Sequence, residues 1–400
     1  MTDTIFTVTS DDGVKIEAKM SAPRRVNGVA LYVNASGPMT YNTKRRNPDG
    51  KIWYYHDFYA KEFAKRHVAY CRYSTRGVRD SDVPPRFEEI DDELFRTYLP
   101  HNSVNDILRL IEYIKIQYPG KPIWLFGQSE GTIVAPLVAL RSADVAGLIL
   151  SGYCDENLID TLKWQLGGGS PLVSLCRAFD CVGRGYISRE DFEEDRRQVR
   201  DKIECFKGKT FDELDADGDG KLTAPDIAEV YGSREHLDGM LRAIEEGDDA
   251  WLRENHGIPL TSGWFREHAE LEPNRAVLPR LEIPIYILAG ECDAMTPVAY
   301  ARAAERRFKE MGKTNLTVRY FEEHDHELNF MIHHLTGKWD ACEGLRCLFD
   351  TTGEVMSGRA AKKSGERSSE MCGCTAGRGF ENRDTRFKIR DSRYKNRDIK

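Results

Sequence analysis

The run Gly127-Gln128-Ser129-Glu130-Gly131 sets a serine hydroxyl between two glycines, a pattern that can thrust the oxygen into the open on a strained turn with backbone crowded on both sides. A serine hydroxyl is a poor nucleophile until a base takes its proton, so the pattern calls for a histidine and a carboxylate elsewhere. The base is expected in Glu322-Glu323-His324-Asp325-His326-Glu327, with His326 preferred and His324 as the substitute. The carboxylate is expected in Ala289-Gly290-Glu291-Cys292-Asp293, where Asp293 would hold the imidazole tautomer and stabilise the imidazolium. Glu291 is the substitute acid, and the bland alternative for Asp293 is a helix cap. Taken alone, G-x-S-x-G is a weak sign, since roughly one chain in eight of this composition would carry it by chance. Its weight comes from the elements around it.

Those elements alternate. Val29 to Val33 is a short apolar run closed by the turn cluster Asn34-Ala35-Ser36-Gly37-Pro38; Phe58 to Ala64 follows as a helix, and Val68 to Tyr73 as a second strand. Val104, Ile107, Leu108, Ile111 and Ile114 recur at helical spacing, and Pro119-Gly120 ends that helix. Pro122 to Phe126 is a buried-strand run, Ser129 sits on the turn after it, and Thr132 to Leu140 is a helix of small residues. Ala146 to Leu150 is a further strand. The alternation resumes with a strand at Ile283 to Leu288, a helix at Pro297 to Phe308 and a strand at Leu316 to Phe321. Apolar strands separated by helices predict an α/β protein with a mostly parallel, doubly wound sheet covered on both faces. The serine then stands between strand and helix, as a nucleophile elbow requires. The acid and the base follow the ends of later strands. An oxyanion would need two backbone donors, expected from the amides of Glu130 and of Ser36.

In these residues the chain resembles the α/β-hydrolase family, its serine esterase and acyl-hydrolase branches in particular. The order Ser129, Asp293, His326 is the order of that family. Asn34-Ala35-Ser36-Gly37-Pro38 stands where such enzymes often carry His-Gly-Ser-Gly-Pro, and Tyr73-Ser74-Thr75-Arg76-Gly77-Val78 looks like their Asp-x-Arg-Gly turn with Ser74 in place of the aspartate. The resemblance spans about residues 5–150 and 260–350. It implies a core in two parts, 1–151 and 282–356, around a helical insert at 152–281 of the kind that forms a cap over the active site. Trp264 and Phe265 would either line a pocket beneath such a cap or simply pack.

Within the insert, Asp215-Ala216-Asp217-Gly218-Asp219-Gly220-Lys221-Leu222-Thr223-Ala224-Pro225-Asp226 resembles the EF-hand loop. Asp215, Asp217 and Asp219 fall at the alternating carboxylate positions, Gly220 at the sharp bend, Lys221 where a carbonyl ligates, Thr223 where a ligand binds directly or through water, and Asp226 at the closing position. The resemblance implies a Ca²⁺ site, structural or regulatory. Asp226 is one methylene shorter than the usual glutamate, which should weaken Ca²⁺ or favour Mg²⁺. Residues 180–191 keep the outline of a second loop, with Asp180, Gly185, Ile187, Ser188 and Asp191 in place but Val182 and Arg184 where oxygen ligands belong. This reads as a degenerate partner that pairs through Ile187 and Leu222 and holds no ion.

At 40% hydrophobic and 31% charged, the 400 residues have ordinary globular composition. The net charge of -7 is uneven: from Arg359 onward there are 13 Lys+Arg against 6 Asp+Glu, a local +7 that leaves -14 for the rest. An acidic body argues against nucleic acid as a partner. No apolar run reaches the 18 or so residues of a membrane span, and the start lacks the basic and apolar regions of a secretory signal, so a cytoplasmic protein is expected. The ten scattered cysteines then read as free thiols, and Cys372-Gly373-Cys374 is too isolated for a metal site. The tail, 357–400, carries a near-repeat of seven, Arg383-Asp384, Arg390-Asp391, Arg397-Asp398, and is too polar to offset its ordering entropy. Three readings follow: a serine hydrolase acting on an acyl ester or thioester; a non-catalytic calcium-binding regulator on the same fold; or an acyltransferase or peptidase using the same triad.

Overall fold

The structure, a computed structural model, describes residues 1–46, 50–84, 86–179, 181, 183–329 and 342–358. Eight strands form its main sheet: β1 (Thr2–Thr9), β2 (Lys15–Ala22), β3 (Gly28–Val33), β4 (Val68–Tyr73), β5 (Ile123–Gln128), β6 (Val145–Ser151), β7 (Ile285–Gly290) and β8 (Leu316–Phe321). Their spatial order is β1-β2-β4-β3-β5-β6-β7-β8. Strand β2 runs antiparallel to both neighbours and every other pairing is parallel. Eight helices bear on the site: α1 (Tyr55–Lys65), α2 (Pro100–Gln117), α3 (Gly131–Arg141), α4 (Ala224–Tyr231), α5 (Ser233–Glu246), α6 (Ser262–Glu270), α7 (Val298–Glu310) and α8 (Glu343–Met356).

Every residue of β3, β4 and β5 is buried, because side chains leave a strand alternately to its two faces and both faces are covered. Val29, Leu31 and Val33 join one cluster with Ile107 and Leu110 of α2, Val134 and Val138 of α3, and Phe308 of α7. Ala30 and Tyr32 join the opposite cluster with Tyr59 and Phe63 of α1 and Leu348 and Phe349 of α8. Strand order and layering together are the α/β-hydrolase fold that the resemblance implied. Arg76 pins the turn after β4: buried, it takes Asp106 of α2 with two bonds of 2.7 Å.

The hairpin β1–β2 and the helix α8 were not expected from the sequence. Among the described residues, the stretch from β6 to β7 holds helices joined by turns, with one two-residue ladder, Ile187 to Leu222 and Ser188 to Lys221, the contact predicted between the two loops. It buries two separate clusters. One sets Met240, Ala243 and Ile244 of α5 and Trp264 and Phe265 of α6 against Phe95, Tyr98 and Ile133 of the core. The other joins Phe179, Phe192, Phe206, Phe211 and Ile227 around the two loops. Among the described residues no helix is long and apolar enough to cross a membrane. Asp180, Val182, Cys372-Gly373-Cys374, the near-repeat of seven and nearly all of the tail lie outside the described residues.

Candidate active site

Ser129 stands between β5 and α3 at φ +55°, a left-handed conformation that costs a non-glycine residue on the order of 1–3 kcal/mol and persists only where the surroundings over-determine it. The two glycines supply that constraint. A Cβ at Gly127 would fall 2.4 Å from the Gly131 carbonyl oxygen, and one at Gly131 would fall 2.2 Å from that of Val33. The Ser129 amide donates to the Ser151 carbonyl at 3.0 Å, and its own carbonyl accepts from the Thr132 amide at 2.8 Å. Both flanking side chains are tied as well. Gln128 Oε1 accepts from the hydroxyls of Tyr32 (2.8 Å) and Tyr55 (3.1 Å), and Glu130 is held by donors described below.

Asp293 follows β7 and His326 follows β8, and the structure brings them together. His326 Nδ1 lies 2.8 Å from Asp293 Oδ2 and 3.0 Å from Oδ1. The amides of Met295 and Thr296 each donate to Oδ1 at 2.8 Å, and the Thr296 hydroxyl donates to Oδ2 at 2.7 Å. Asp293 therefore braces the turn before α7 and faces the imidazole at once. Burial opposes a charge on His326, but the Asp293 carboxylate outweighs it by charge and hydrogen bond, with Glu327 and Asp325 adding to the effect, so the imidazole titrates above its ordinary value. The ring lies against Gly152, where a Cβ would fall 2.4 Å from Cε1. Gly152 directly follows Ser151, whose carbonyl holds the Ser129 amide, so imidazole and serine converge on the end of β6. Arg45 pairs with Glu327 at 3.0 Å and steadies the His326 loop from the other side.

The substitutes are engaged elsewhere. His324 Nδ1 contacts the Glu322 carbonyl at 2.6 Å and its Nε2 accepts the Gly344 amide at 3.1 Å. Glu291 accepts from Arg302 at 2.9 Å. Ser36 is half-buried in the loop after β3, two residues beyond Asn34, whose carbonyl oxygen lies against Gly131. Trp264 and Phe265 are fully buried and pack in the cluster between insert and core, Trp264 also donating its indole N–H to Glu130. Sequence reasoning missed Thr296, Tyr98 and His268. Only His268 carried a signal, as an imidazole four residues beyond Trp264 on one helix face.

In the acidic loop, carboxylate oxygens of Asp215, Asp217 and Asp219 lie within 4.8 Å of one another, and Gly220 makes the bend at φ +80°. Asp226 is not brought into this set. Its Oδ1 accepts the Ala216 amide at 3.0 Å, and its Oδ2 accepts the Thr223 amide at 2.8 Å and hydroxyl at 2.7 Å. Closing position and ligand position thus serve as the capping box of α4. Lys221 sits in the ladder opposite Ser188. In the partner loop the Arg184 guanidinium bonds Asp191, so that carboxylate already has a side-chain cation as its partner.

No family model matches the chain. It is 29% identical over 117 residues, 28% of this chain and 71% of the relative, to a Homo sapiens protein described as EF-hand calcium-binding domain-containing protein 11. Among solved structures it is similar to the α/β hydrolase GrgF from Penicillium sp. sh18, at 13% identity over 90% of this chain and 100% of that one with a TM-score of 0.48. A lipase in its open form is similar at 15% identity, 90% and 100% coverage and a TM-score of 0.48. The esterase EaEST from Exiguobacterium antarcticum follows at 14% identity, 88% and 99% coverage and a TM-score of 0.43. Likenesses at this level leave the reaction to be argued from the site itself.

Proposed function

We propose that the protein is a serine hydrolase that cleaves an acyl ester or thioester through an acyl-enzyme on Ser129. The observation that carries this reading is the Asp293–His326 pair, closed at 2.8 Å and set against the same strand end as a serine held at φ +55°. Ser129 Oγ attacks the acyl carbon while His326 Nε2 takes its proton. His326 then returns the proton to the departing alkoxide or thiolate. Water then attacks the acyl carbon as His326 takes its proton, the bond to Ser129 Oγ breaks, and His326 returns that proton to Oγ, freeing the acid and restoring the serine hydroxyl. Asp293 keeps the Nδ1 proton in place and stabilises the imidazolium. The amides of Glu130 and Ser36 face the oxyanion, which forms only in the transition state, so their contribution falls on kcat.

Asp215, Asp217 and Asp219 would hold a hard divalent cation, Ca²⁺ or Mg²⁺, with the Lys221 carbonyl beside them. Clustered carboxylates on a tight bend suit such an ion, and the likeness to a relative named for calcium binding agrees. The ion would brace the insert and takes no part in acyl transfer. With Asp226 engaged as a cap, the donor set is short of a full EF-hand.

A fluorophosphonate probe tests the enzyme reading. Wild-type protein should be labelled at Ser129 and Ser129→Ala should not. Absence of labelling in wild type, alongside no turnover of p-nitrophenyl esters of graded chain length or of thioesters, would leave only the cation-binding regulator.

A further inference from the structure

Glu130 is 1% exposed, and a carboxylate in that position is costly unless donors are fixed around it. Three are. The Tyr98 hydroxyl donates to Oε2 at 2.6 Å. The Trp264 indole N–H donates to Oε1 at 3.2 Å, and His268 Nε2 reaches the same oxygen at 2.9 Å. Two of the three come from α6, on one face of that helix, and cross from the insert to the elbow. His268 is 0% exposed, and its Nδ1 has no hydrogen-bond partner among the described residues. The ring is therefore held by polar contact to Glu130 alone.

The residue so clasped is the one after the strained serine. The peptide between Ser129 and Glu130 carries the amide that faces the oxyanion, and its plane is set by ψ of Ser129, in a residue already strained at φ +55°, and by φ of Glu130, −49°. Fixing the Glu130 side chain at three points fixes its Cα. We infer that the clasp of Glu130 by His268, Trp264 and Tyr98 is a positioning device, through which docking of α6 sets the aim of the oxyanion amide. The inference rests on Ser129 being the nucleophile. Insert and elbow are thus mechanically one unit, and the acylation step is fast only when α6 is seated.

The test compares single-turnover labelling by a neutral fluorophosphonate, and kcat and KM for a p-nitrophenyl ester, in wild type, His268→Ala, His268→Gln and Trp264→Phe, with circular dichroism to confirm folding. His268→Ala should label about tenfold slower or more, a part of what full loss of an oxyanion donor costs, with KM within about twofold of wild type. His268→Gln, which restores a donor, should recover most of that rate. If His268→Ala fails to fold, Trp264→Phe decides on the same readout, with a several-fold slower label expected. A folded His268→Ala that labels at the wild-type rate, or a rise in KM with kcat unchanged, overturns the positioning role and leaves the enzyme reading standing. Wild type that does not label at all removes both.

Discussion

Two carboxylate–imidazole pairs flank the same serine, and they are built differently. Asp293 takes three of its bonds from its own turn, the amides of Met295 and Thr296 and the Thr296 hydroxyl, and its imidazole keeps 17% of its side chain exposed. Glu130 takes all its donors from other elements, and its imidazole is sealed at 0%. In the mechanism proposed above His326 carries a proton, and a proton carrier must exchange with substrate and solvent, so one side of its ring has to stay open. A clasp gains from closure, since a charge-assisted bond is stronger where water is excluded. Burial, rather than residue type, therefore separates the two pairs.

The largest effect should come from truncating each imidazole in turn. His326→Ala is expected to lower kcat/KM by roughly 10⁴-fold or more while changing unfolding free energy by about 1 kcal/mol, because Asp293 keeps its three other donors. His268→Ala should do the reverse in stability. It strands part of a buried carboxylate and leaves a cavity, for about 3 kcal/mol in urea titrations. Equal stability losses from the two changes would erase the distinction.

The pH profile sharpens it. Because Asp293 holds the His326 imidazole above its ordinary 6.5, the ring stays protonated to a higher pH. The log of kcat/KM should rise with a slope near one and bend at a pH above 6.5. Asp293→Asn should move the bend down as well as lower the plateau. In stability the sign is opposite. The pair's contribution is fully present below 6.5 and is lost as pH rises through the folded-state value. A wild-type bend at or below 6.5 would contradict the electrostatic account.

Much of this was legible in the chain. Strands β3 to β6 showed as apolar runs because both their faces are buried, and the elbow showed because only glycine tolerates backbone at 2.2 Å to 2.4 Å. His326 was preferred as the base with His324 as the substitute, but the contact that sets the two apart, the Gly344 amide on His324 Nε2, comes from a later helix and leaves no local trace in the sequence. β1 escaped notice because it reads as exposed over most of its length, with little apolar patterning to see. The Glu130 clasp was invisible for a similar reason: Glu130 and His268 are 138 residues apart, and no local spacing links them.

A second contrast, between a carboxylate paired with a side-chain cation and three carboxylates gathered together, separates the two loops of the insert and gives the smallest expected effect. In one loop Arg184 neutralises Asp191. In the other, three carboxylates gather within 4.8 Å, and Asp215, buried at 7%, accepts only the amides of Gly218 and Gly220 among the bonds described. Bringing a cation to the second loop should relieve that repulsion. Thermal unfolding in millimolar Ca²⁺ against EGTA should therefore show stabilisation of about 1–3 kcal/mol, the range for a ligand at ten- to a hundredfold excess over its Kd. Asp215→Asn should abolish the difference, and Arg184→Ala should leave it in place. Identical melting in Ca²⁺, Mg²⁺ and EGTA would mean that the three carboxylates are tolerated without an ion, and that both loops are structural.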